Sequence, residues 1–275
     1  MKLLLDAGNS RIKLGWTRAG PAPEGQVIAL AHAELHTLPA RLAELPGTGG
    51  AALGVNVAGP RMAERLQAML AQAGYGVQWV RPARDMLGLR NGYADPAQLG
   101  ADRWMAVLGV WSALAAPRPP MMLATFGTAT TLDTTGPDDC YAGGLILPGP
   151  ALMRASLAHG TAELPHAAGS VQDYPGDTHA AIVTGVAAAQ AGAVLRQWLQ
   201  ALARYGRPPA LYVSGGGWPE VQAETQAMLH AAAAARGLPP PAIQYVAHPV
   251  LDGLARLAGA SCPPKDCPPT GGPRP

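Results

Sequence analysis

The chain has 275 residues, which suits one large domain or two domains of about 100–150 residues each. Its formal net charge of +2 is small and includes no basic run, so the composition favours neither nucleic acid nor an anionic membrane surface as a partner. The three cysteines, Cys140, Cys262 and Cys267, form no metal-ligand spacing, and their odd number argues against a disulfide scaffold.

The first residues do not read as a targeting signal. The stretch MKLLLDAGNS reaches Asp6 too early for the apolar region of a signal peptide. No run in the sequence approaches the ~18 apolar residues that a membrane-spanning helix needs. We therefore expect a soluble protein of the cytoplasm.

The first half of the sequence predicts three strands followed by alternating helices and strands. Residues 2–6 and 11–17 have the alternation of a hairpin around the turn AGNS, and residues 26–35 continue as a third strand. The next elements, in chain order, are a helix at 38–45, a strand at 51–57, a helix at 60–74 and a strand at 76–80.

A longer helix is predicted over residues 95–116. Asp95 is its expected N-cap, Pro96 takes the first helical position, and Gln98 completes a pattern similar to a capping box. The sequence PRPP then interrupts the chain, and we place a domain boundary after residue 117.

The second half repeats the order of the first. The predicted elements are strands at 121–125, 128–135 and 141–147, a helix at 150–160, a long helix from Thr178 to about Tyr205, a strand at 210–214, a helix, a strand at 243–247 and a last helix from Pro249. The Pro-rich residues 261–275 lack an apolar face and are predicted to be a disordered tail. The sequence thus predicts an α/β fold of two duplicated domains, 1–117 and 118–260, with a cleft between them.

Two Gly turns carry the internal repeat. The segments LLLDAGNSRIKL and LATFGTATTLD align on Gly8 and Gly127, and Asp6 then faces Thr125. Glycine lets a backbone approach a phosphate with its N–H groups directed at the oxygens, while Asn, Ser or Thr side chains add donors. The same residue types also favour ordinary hairpin turns. Two such turns at one cleft indicate a site for a nucleoside triphosphate.

A second polar segment is NGYADPAQLGADRW, which holds Tyr93, Gly100, Asp102 and Arg103 near one helix start. Adjacent helical residues project about 100° apart, so Asp102 and Arg103 reach one ligand only where the helix borders a cleft. Taken alone, the pair is typical of a solvated helix surface. In a phosphotransferase, Asp102 would accept the proton of a substrate hydroxyl. Arg103 would hold either a carboxylate or a developing phosphate charge, and the sequence leaves both open.

These motifs resemble those of the bacterial type III pantothenate kinases, which belong to the actin and sugar-kinase superfamily. The resemblance rests on DAGNSRIK, NGYADPAQLGADRW, FGTATTLD, GGLILPGPALMRASLAHGTAELP and GDTHAAIVTG, in that order, and extends to about residue 258. It implies two duplicated ribonuclease-H-like domains with the active-site cleft between them. It also implies a homodimer that transfers the γ-phosphate of ATP to the primary hydroxyl of pantothenate, giving 4'-phosphopantothenate in the first step of coenzyme A biosynthesis.

The resemblance assigns roles to individual residues. The implied ATP-binding residues are Asp6, Ala7, Gly8, Asn9, Ser10, Arg11, Ile12, Lys13 and Thr128. The implied pantothenate-binding residues are Tyr93, Gly100, Ala101, Asp102, Arg103 and Thr178. Asp6 would bind Mg²⁺, and Asp102 would act as the base. Where this chain has Thr125, the family usually has an Asp that helps to bind a monovalent cation, so we expect only weak dependence on K⁺ or NH₄⁺.

Two other functions remain compatible with the sequence. The missing carboxylate at Thr125 would suit a non-catalytic, nucleotide-sensing regulatory protein, whereas the charged residues retained in both polar segments favour an enzyme. A kinase of another small hydroxyl substrate is the second alternative, because a fold does not fix a substrate. The segment from Tyr93 to Arg103 argues against it.

The remaining polar residues fit structural roles. The histidines that lack metal-ligand spacing are His159, His166, His179 and His248. Asp133 reads as an ordinary carboxylate at a strand end. The segment SGGGW, residues 214–218, either borders the adenosine of a nucleotide or is a plain loop between a strand and a helix.

Overall fold

The structure is a computed structural model that describes residues 1–18, 20–47 and 49–260. The predicted tail, 261–275, lies outside the described residues. Within them, the chain forms two mixed β-sheets with helices packed on their faces.

In the described part of the chain, the first sheet has five strands in the order β3-β2-β1-β4-β5. They are β1 (Lys2–Ala7), β2 (Arg11–Thr17), β3 (Ile28–Ala31), β4 (Gly50–Asn56) and β5 (Tyr75–Trp79). Strands β1, β2 and β3 pair antiparallel, whereas β4 is parallel to both β1 and β5. Two helices, α1 (Leu38–Ala43) and α2 (Pro60–Gln72), provide the connections to β4 and β5.

The second sheet, over the same described residues, has seven strands in the order β12-β11-β8-β9-β10-β7-β6. They are β6 (Asp85–Met86), β7 (Leu89–Asn91), β8 (Met121–Phe126), β9 (Ala129–Thr135), β10 (Cys140–Pro148), β11 (Ala210–Ser214) and β12 (Ile243–Tyr245). The helices that follow α2 are α3 (Ala101–Trp111), α4 (Pro150–Gly160), α5 (Thr178–Tyr205), α6 (Trp218–Ala234) and α7 (Pro249–Gly259).

The two sheets share one topology. Strands β10-β9-β8-β11-β12 repeat the order of β3-β2-β1-β4-β5, with the same antiparallel and parallel pairings. Strands β1 and β8 therefore occupy equivalent positions, and each is followed by a Gly turn. The repetition confirms the predicted α/β fold of two duplicated halves.

A short hairpin that the sequence analysis does not predict extends the second sheet. Strands β6 and β7 join through Leu87 and Gly88, whose φ angles of 54° and 92° suit a tight hairpin turn. Strand β7 then pairs parallel to β10. Residues that precede the predicted boundary at 117 thus take part in the second sheet, and the boundary itself stays a prediction.

Helices α3 and α7 pack side by side between the two sheets. They share one buried core with Leu4 and Val55 of the first sheet and with Leu123 and Tyr141 of the second. Helices α1 and α2 cover the other face of the first sheet, and α5 and α6 cover the other face of the second. The fold is therefore a stack of layers in which α3 contacts both halves.

A close backbone contact fixes α3 against α7. A Cβ atom at Gly253 would collide with the carbonyl oxygen of Met105, and one at Gly109 would collide with the carbonyl oxygen of Pro249. Neither position accepts a larger residue unless a helix moves. The two helices consequently hold each other in register.

The third strand is shorter than the predicted 26–35. It ends at Ala31, where the Glu34 carboxylate accepts a hydrogen bond from the Ala31 N–H at 2.7 Å. A side chain that bonds to nearby backbone competes with a sheet ladder. The chain accordingly turns into a 3-10 helix over His32–Thr37, which brings His32 to the first Gly turn.

The helix predicted over 95–116 is divided. Asp95 does accept a backbone hydrogen bond, at 3.0 Å, but it caps only a short 3-10 turn, Pro96–Gln98. Leu99 is then extended and buried in the core, and α3 begins two residues later. The break places Asp102 in the first turn of α3, where backbone N–H groups lack partners within the helix.

Within the described residues, α5 is long and apolar enough to span a membrane by length and composition alone. It packs against α4, α6 and β9. Two of its large side chains, Val194 and Trp198, are fully buried in this protein core. These contacts are typical of a core helix.

Candidate active site

The first Gly turn joins β1 to β2. Asp6 lies near the end of β1, directly across from Lys13 of β2. The Gly8 N–H donates to the Arg11 carbonyl at 3.1 Å and closes the turn. From beyond β3, Nε2 of His32 donates to the Gly8 carbonyl at 2.9 Å. The turn is thus supported by the hairpin itself and by a side chain from outside it.

The second Gly turn joins β8 to β9 and meets the first. The Gly127 N–H donates to the Ala129 carbonyl at 3.1 Å, as its counterpart does in the first turn. The hydroxyls of Ser10 and Thr128, one from each turn, lie 2.6 Å apart and share a hydrogen bond. The two turns therefore face each other across one cleft.

Two glycine-containing loops contact the second turn. The Gly149 N–H donates to the Thr128 carbonyl, and the Gly217 N–H donates to the Phe126 carbonyl, each at 2.9 Å. Gly149 follows the segment GGLILP, and Gly217 belongs to SGGGW. The bond to Phe126 places SGGGW against the strand end that carries the turn, while its contact with adenosine stays a prediction.

Asp6 and Asp102 lie close enough for their charges to interact. Asp6 is only 8% exposed, and this burial raises the pKa of Asp6 from 3.8 to about 6. The positive charge of Lys13 partly offsets the increase, and the negative charge of Asp102 adds to it. A nearby like charge disfavours ionisation, and a bound cation reverses that effect. The arrangement therefore fits a hard cation with oxygen ligands.

Asp102 lies at the N-terminus of α3. Gly100 is the N-cap of that helix, and its carbonyl accepts the Trp104 N–H at 3.0 Å. Oδ1 of Asp102 accepts the Arg103 backbone N–H at 2.8 Å. Among the described residues, Oδ2 has no hydrogen-bond partner. A carboxylate is favourable at a helix N-terminus, and Asp102 lies there with one oxygen available.

Arg103 is buried in a polar cluster between the two halves. Its Nη2 donates to Oδ1 of Asp133 at 2.6 Å and to the Tyr141 hydroxyl at 3.0 Å, and its Nε donates to Oδ1 of Asp133 at 3.1 Å. Burial opposes the charge of Arg103, but the attraction of Asp133 outweighs it and raises the pKa of the guanidinium. Burial, reinforced by the charge of Asp133, also raises the pKa of Tyr141, so its hydroxyl stays protonated and donates to Asp133 at 2.7 Å.

Tyr93 lies on a loop that Arg84 holds in place. The Arg84 guanidinium donates to the carbonyls of Asn91, Tyr93 and Ala94 at 2.9, 2.6 and 2.7 Å. The Tyr93 ring packs on Tyr141, with 5.6 Å between the ring centroids. The structure thus brings Tyr93 to Arg103, whose Nη1 lies 3.4 Å from the Tyr93 hydroxyl.

Thr178 lies on a different element from the other predicted substrate residues. It opens α5, where Asp177 caps the helix by accepting the Ala180 N–H at 2.9 Å. Thr178 lines a largely apolar cavity of about 480 Å³ between α4 and α5. No other predicted substrate residue lines that cavity.

Three polar residues near the site are missed or misread from the sequence. Asp133 is wrongly predicted as a strand-end carboxylate, because it is buried inside β9 and pairs with Arg103. His32 supports the first turn. His248 directly precedes α7, and burial, followed by the positive charge of Lys13, lowers the pKa of His248. Only Asp133 carries a usable sequence signal, because it lies inside the predicted strand 128–135 rather than at its end, and a buried carboxylate requires a partner. In the described residues, no cluster of His, Cys, Asp and Glu suits a metal ion by itself.

The sequence profile described as Type III pantothenate kinase matches residues 2–200. This chain belongs to the type III pantothenate kinase family. The type III pantothenate kinase of Bordetella petrii is 56% identical over 264 residues, which cover 96% of this chain and 99% of that one. The type III pantothenate kinase of Bordetella bronchiseptica is 51% identical over 266 residues, with coverage of 96% and 99%.

Solved structures share the fold at much lower identity. A protein described provisionally as a Baf family transcriptional activator from Campylobacter jejuni has a TM-score of 0.52 at 18% identity, covering 93% of this chain and 96% of that one. A provisional 2-dehydro-3-deoxygalactonokinase from Sinorhizobium meliloti has the same TM-score at 14% identity, covering 94% and 98%. At these identities the likeness shows the fold alone. The shared fold agrees with the two duplicated halves of this chain.

The buried carboxylate of Asp6 predicts opposite effects on stability and on nucleotide binding in this type III pantothenate kinase. Its folded-state pKa of about 6 exceeds the ordinary 3.8, so the unliganded protein loses stability as pH rises through that window. The loss at pH 7.5 amounts to about 3 kcal/mol. We expect Asp6→Asn to raise the melting temperature of the unliganded protein at pH 7.5 while weakening Mg²⁺–ATP binding, measured by calorimetry.

The matched control is Asp173→Asn, which changes an exposed carboxylate and should alter neither quantity. The gain in stability from Asp6→Asn should shrink as the pH is lowered from 7.5 towards 4, because Asp6 itself then becomes protonated. A variant that melts at a lower temperature than the parent at pH 7.5 would contradict the prediction.

Proposed function

We propose that this kinase transfers the γ-phosphate of ATP to the primary hydroxyl of pantothenate, giving 4'-phosphopantothenate, the first step towards coenzyme A. The observation that carries the proposal is the meeting of two Gly turns beside Asp6 and Asp102, in a chain that belongs to this family. We place the reaction in the cytoplasm.

The two Gly turns form the nucleotide side of the cleft. Residues 6–13 and Thr128 offer backbone N–H groups and hydroxyls to the phosphates, and Lys13 adds a positive charge. Asp6 is the proposed ligand of Mg²⁺, which when bound neutralises charge on the phosphate oxygens. The buried position of Asp6 and its repulsion by Asp102 support this assignment, because both favour a cation at that point.

Asp102 is the proposed general base. It accepts the proton of the pantothenate hydroxyl while the hydroxyl oxygen attacks the γ-phosphorus and the bond to the departing ADP breaks. The backbone N–H of Arg103 holds Oδ1, so Oδ2 is the atom that receives the proton. The interaction of its charge with that of Asp6, at the first Gly turn, supports this assignment.

The pantothenate side is the start of α3 with the Tyr93 loop. Gly100 and Ala101 offer backbone close to Asp102, and Tyr93 offers an apolar ring face with a polar tip. Arg103 presents Nη1 towards the same space, because its other nitrogens bond to the second sheet.

We also propose a homodimer formed through the face of α4 and α5. Ile146 of β10 and Leu152 of α4 are 66% and 46% exposed, and the apolar cavity that contains Thr178 lies on the same face. Exposed apolar surface of this kind is typical of a subunit contact. Thr178 lines that cavity and none of the other proposed substrate residues does, so we assign its contact with substrate to the assembled dimer.

The dimer is tested by sedimentation velocity. We expect Ile146→Glu to shift the protein from dimer to monomer, because an exposed charge disfavours an apolar contact. The matched control is Tyr245→Glu, which changes another exposed apolar residue at the opposite edge of the second sheet and should leave the dimer intact. A monomeric parent protein would exclude the proposed dimer.

The enzymatic proposal is tested by mass detection of phosphopantothenate with purified protein, ATP, Mg²⁺, K⁺ and NH₄⁺. We expect product from the parent protein and a fall in kcat of about 10²–10⁴-fold for Asp102→Asn, the usual contribution of a general base. Pantothenate binding should largely survive in this variant. Absence of product from the parent protein would exclude the function, and a near-normal kcat in the variant would assign the base elsewhere.

The proposed cation requirement follows from Thr125, at the end of β8. A neutral hydroxyl offers one oxygen without charge, so it holds K⁺ or NH₄⁺ more weakly than a carboxylate does. We expect activation only at high concentrations of either ion, measured by titration into an assay buffered with Tris. Thr125→Asp should lower the concentration that gives half of the maximal activity. A tight K⁺ requirement in the parent protein, unchanged by Thr125→Asp, would place the cation elsewhere.

A further inference from the structure

A buried ion pair connects the substrate segment to the second sheet. Arg103 comes from α3, and its side chain is 7% exposed; Asp133 comes from β9, and its side chain is 1% exposed. Two guanidinium nitrogens, Nε and Nη2, bond to the same carboxylate. Both nitrogens donate to Oδ1, and Nε makes a longer contact of 3.5 Å with Oδ2. Two charge-assisted hydrogen bonds from one rigid, planar group fix the plane of the guanidinium as well as its position.

The second sheet has space for this pair because residue 144 is a glycine. A Cβ atom there would collide with the Leu132 carbonyl oxygen, and it would lie 2.7 Å from Oδ1 of Asp133 and 2.8 Å from Nη2 of Arg103. The absence of a side chain at Gly144 therefore lets β10 approach β9 closely and leaves room for Arg103 to reach Asp133. The first part of the GGLILPG segment thus serves both the packing of the sheet and the ion pair.

Stability does not explain the pair. Burying two ions removes their hydration, and a well-packed apolar pair of similar volume is often equally stable or more so. The orientation of the guanidinium offers a better explanation. Nε and Nη2 face the second sheet, while Nη1 makes one longer contact, 3.4 Å, with the Tyr93 hydroxyl on the substrate side.

We propose that Asp133 is a positioning residue for phosphoryl transfer, with Tyr141 and Gly144 as its supports. Asp133 turns Arg103 so that Nη1 faces an anionic group of the reacting molecules, either the carboxylate of the acceptor or the charge that develops on the phosphate. The proposal rests on the proposed function. It adds residues of the second sheet to a substrate site that is otherwise built from α3 and the Tyr93 loop.

The same pair fixes the base relative to the nucleotide. Asp102 precedes Arg103 and accepts its backbone N–H, so a displacement of Arg103 also displaces Asp102. Strand β9 begins directly after Thr128 of the second Gly turn. The contact of Arg103 with Asp133 thus sets the distance between the acceptor site and the phosphate turn, which phosphoryl transfer requires to be accurate.

The test compares three variants with the parent protein. Asp133→Asn keeps the shape of the side chain and removes its charge, and Tyr141→Phe keeps the ion pair and removes the two hydrogen bonds of the Tyr141 hydroxyl, to Arg103 and to Asp133. The matched control is Thr135→Val on the same strand, because Thr135 is fully buried and its hydroxyl has no partner among the described residues. Each variant is assayed with pantothenate and with pantothenol, which has a hydroxyl in place of the carboxylate.

We expect Asp133→Asn to lower kcat/KM for pantothenate about 100-fold, as a misplaced catalytic group does. Tyr141→Phe should lower kcat/KM for pantothenate about tenfold through the two lost hydrogen bonds to charged groups. The KM for ATP should stay unchanged in both, and Thr135→Val should match the parent. If Asp133→Asn lowers kcat/KM for pantothenate but not for pantothenol, the partner of Arg103 is the carboxylate of pantothenate. If it lowers kcat/KM equally for both acceptors, the partner is the phosphate that is transferred.

If a variant loses activity only because less of the protein is folded, kcat/KM per folded molecule stays at the parent value. That result would show a merely structural role for Asp133 and would overturn the proposal. Where Asp133→Asn fails to fold, Tyr141→Phe decides: parent-like kinetics in that variant overturn the positioning role. An inactive parent protein would overturn the proposed function as well, and the parallel assay of the parent keeps the two failures distinct.

Discussion

The position of α3 between the two sheets is the constraint on which the site depends. This helix is buried on nearly all sides, from Arg103 to Trp111, and it contacts strands of both halves. Its first turn therefore cannot move independently of either sheet. Because Asp102 and Arg103 lie in that turn, the packing of the core sets the geometry of the proposed acceptor site. A shared core thus joins the proposed acceptor residues to turns that lie far away in the sequence.

At α3, packing supports the proposed function, whereas at Asp6 packing disfavours the charge that the proposed function needs. Burial and the neighbouring charge of Asp102 disfavour the ionised form of Asp6. Sequences tend to break local rules of this kind at functional sites. If Asp6 binds Mg²⁺ as proposed, the carboxylate that lowers the stability of the protein alone would raise the stability of its complex with Mg²⁺ and nucleotide.

Local signals in the sequence identify most of the architecture but few of its long-range contacts. The Gly turns, the long helix α5 and the duplicated order of strands are predictable because periodicity and turn residues act over short distances. The β6–β7 hairpin is too short to show a pattern. The ion pair of Arg103 with Asp133 joins residues from the two halves, so no local signal indicates it. The division of the predicted 95–116 helix depends on the burial of Leu99, which is likewise a tertiary effect.

The contact of α7 with the first sheet affects how the chain can fold during synthesis. Helix α7 follows all the described strands, yet Gly253 packs on α3, and Lys2 of β1 donates to the Ala258 carbonyl at 2.6 Å. A nascent chain emerging from the ribosome therefore carries a first sheet whose inner apolar face lacks the cover that α7 provides. Leu4 and Val55 belong to that face. The outer face is covered by α1 and α2 of the same half, but native burial of the inner face must wait until α7 has been translated.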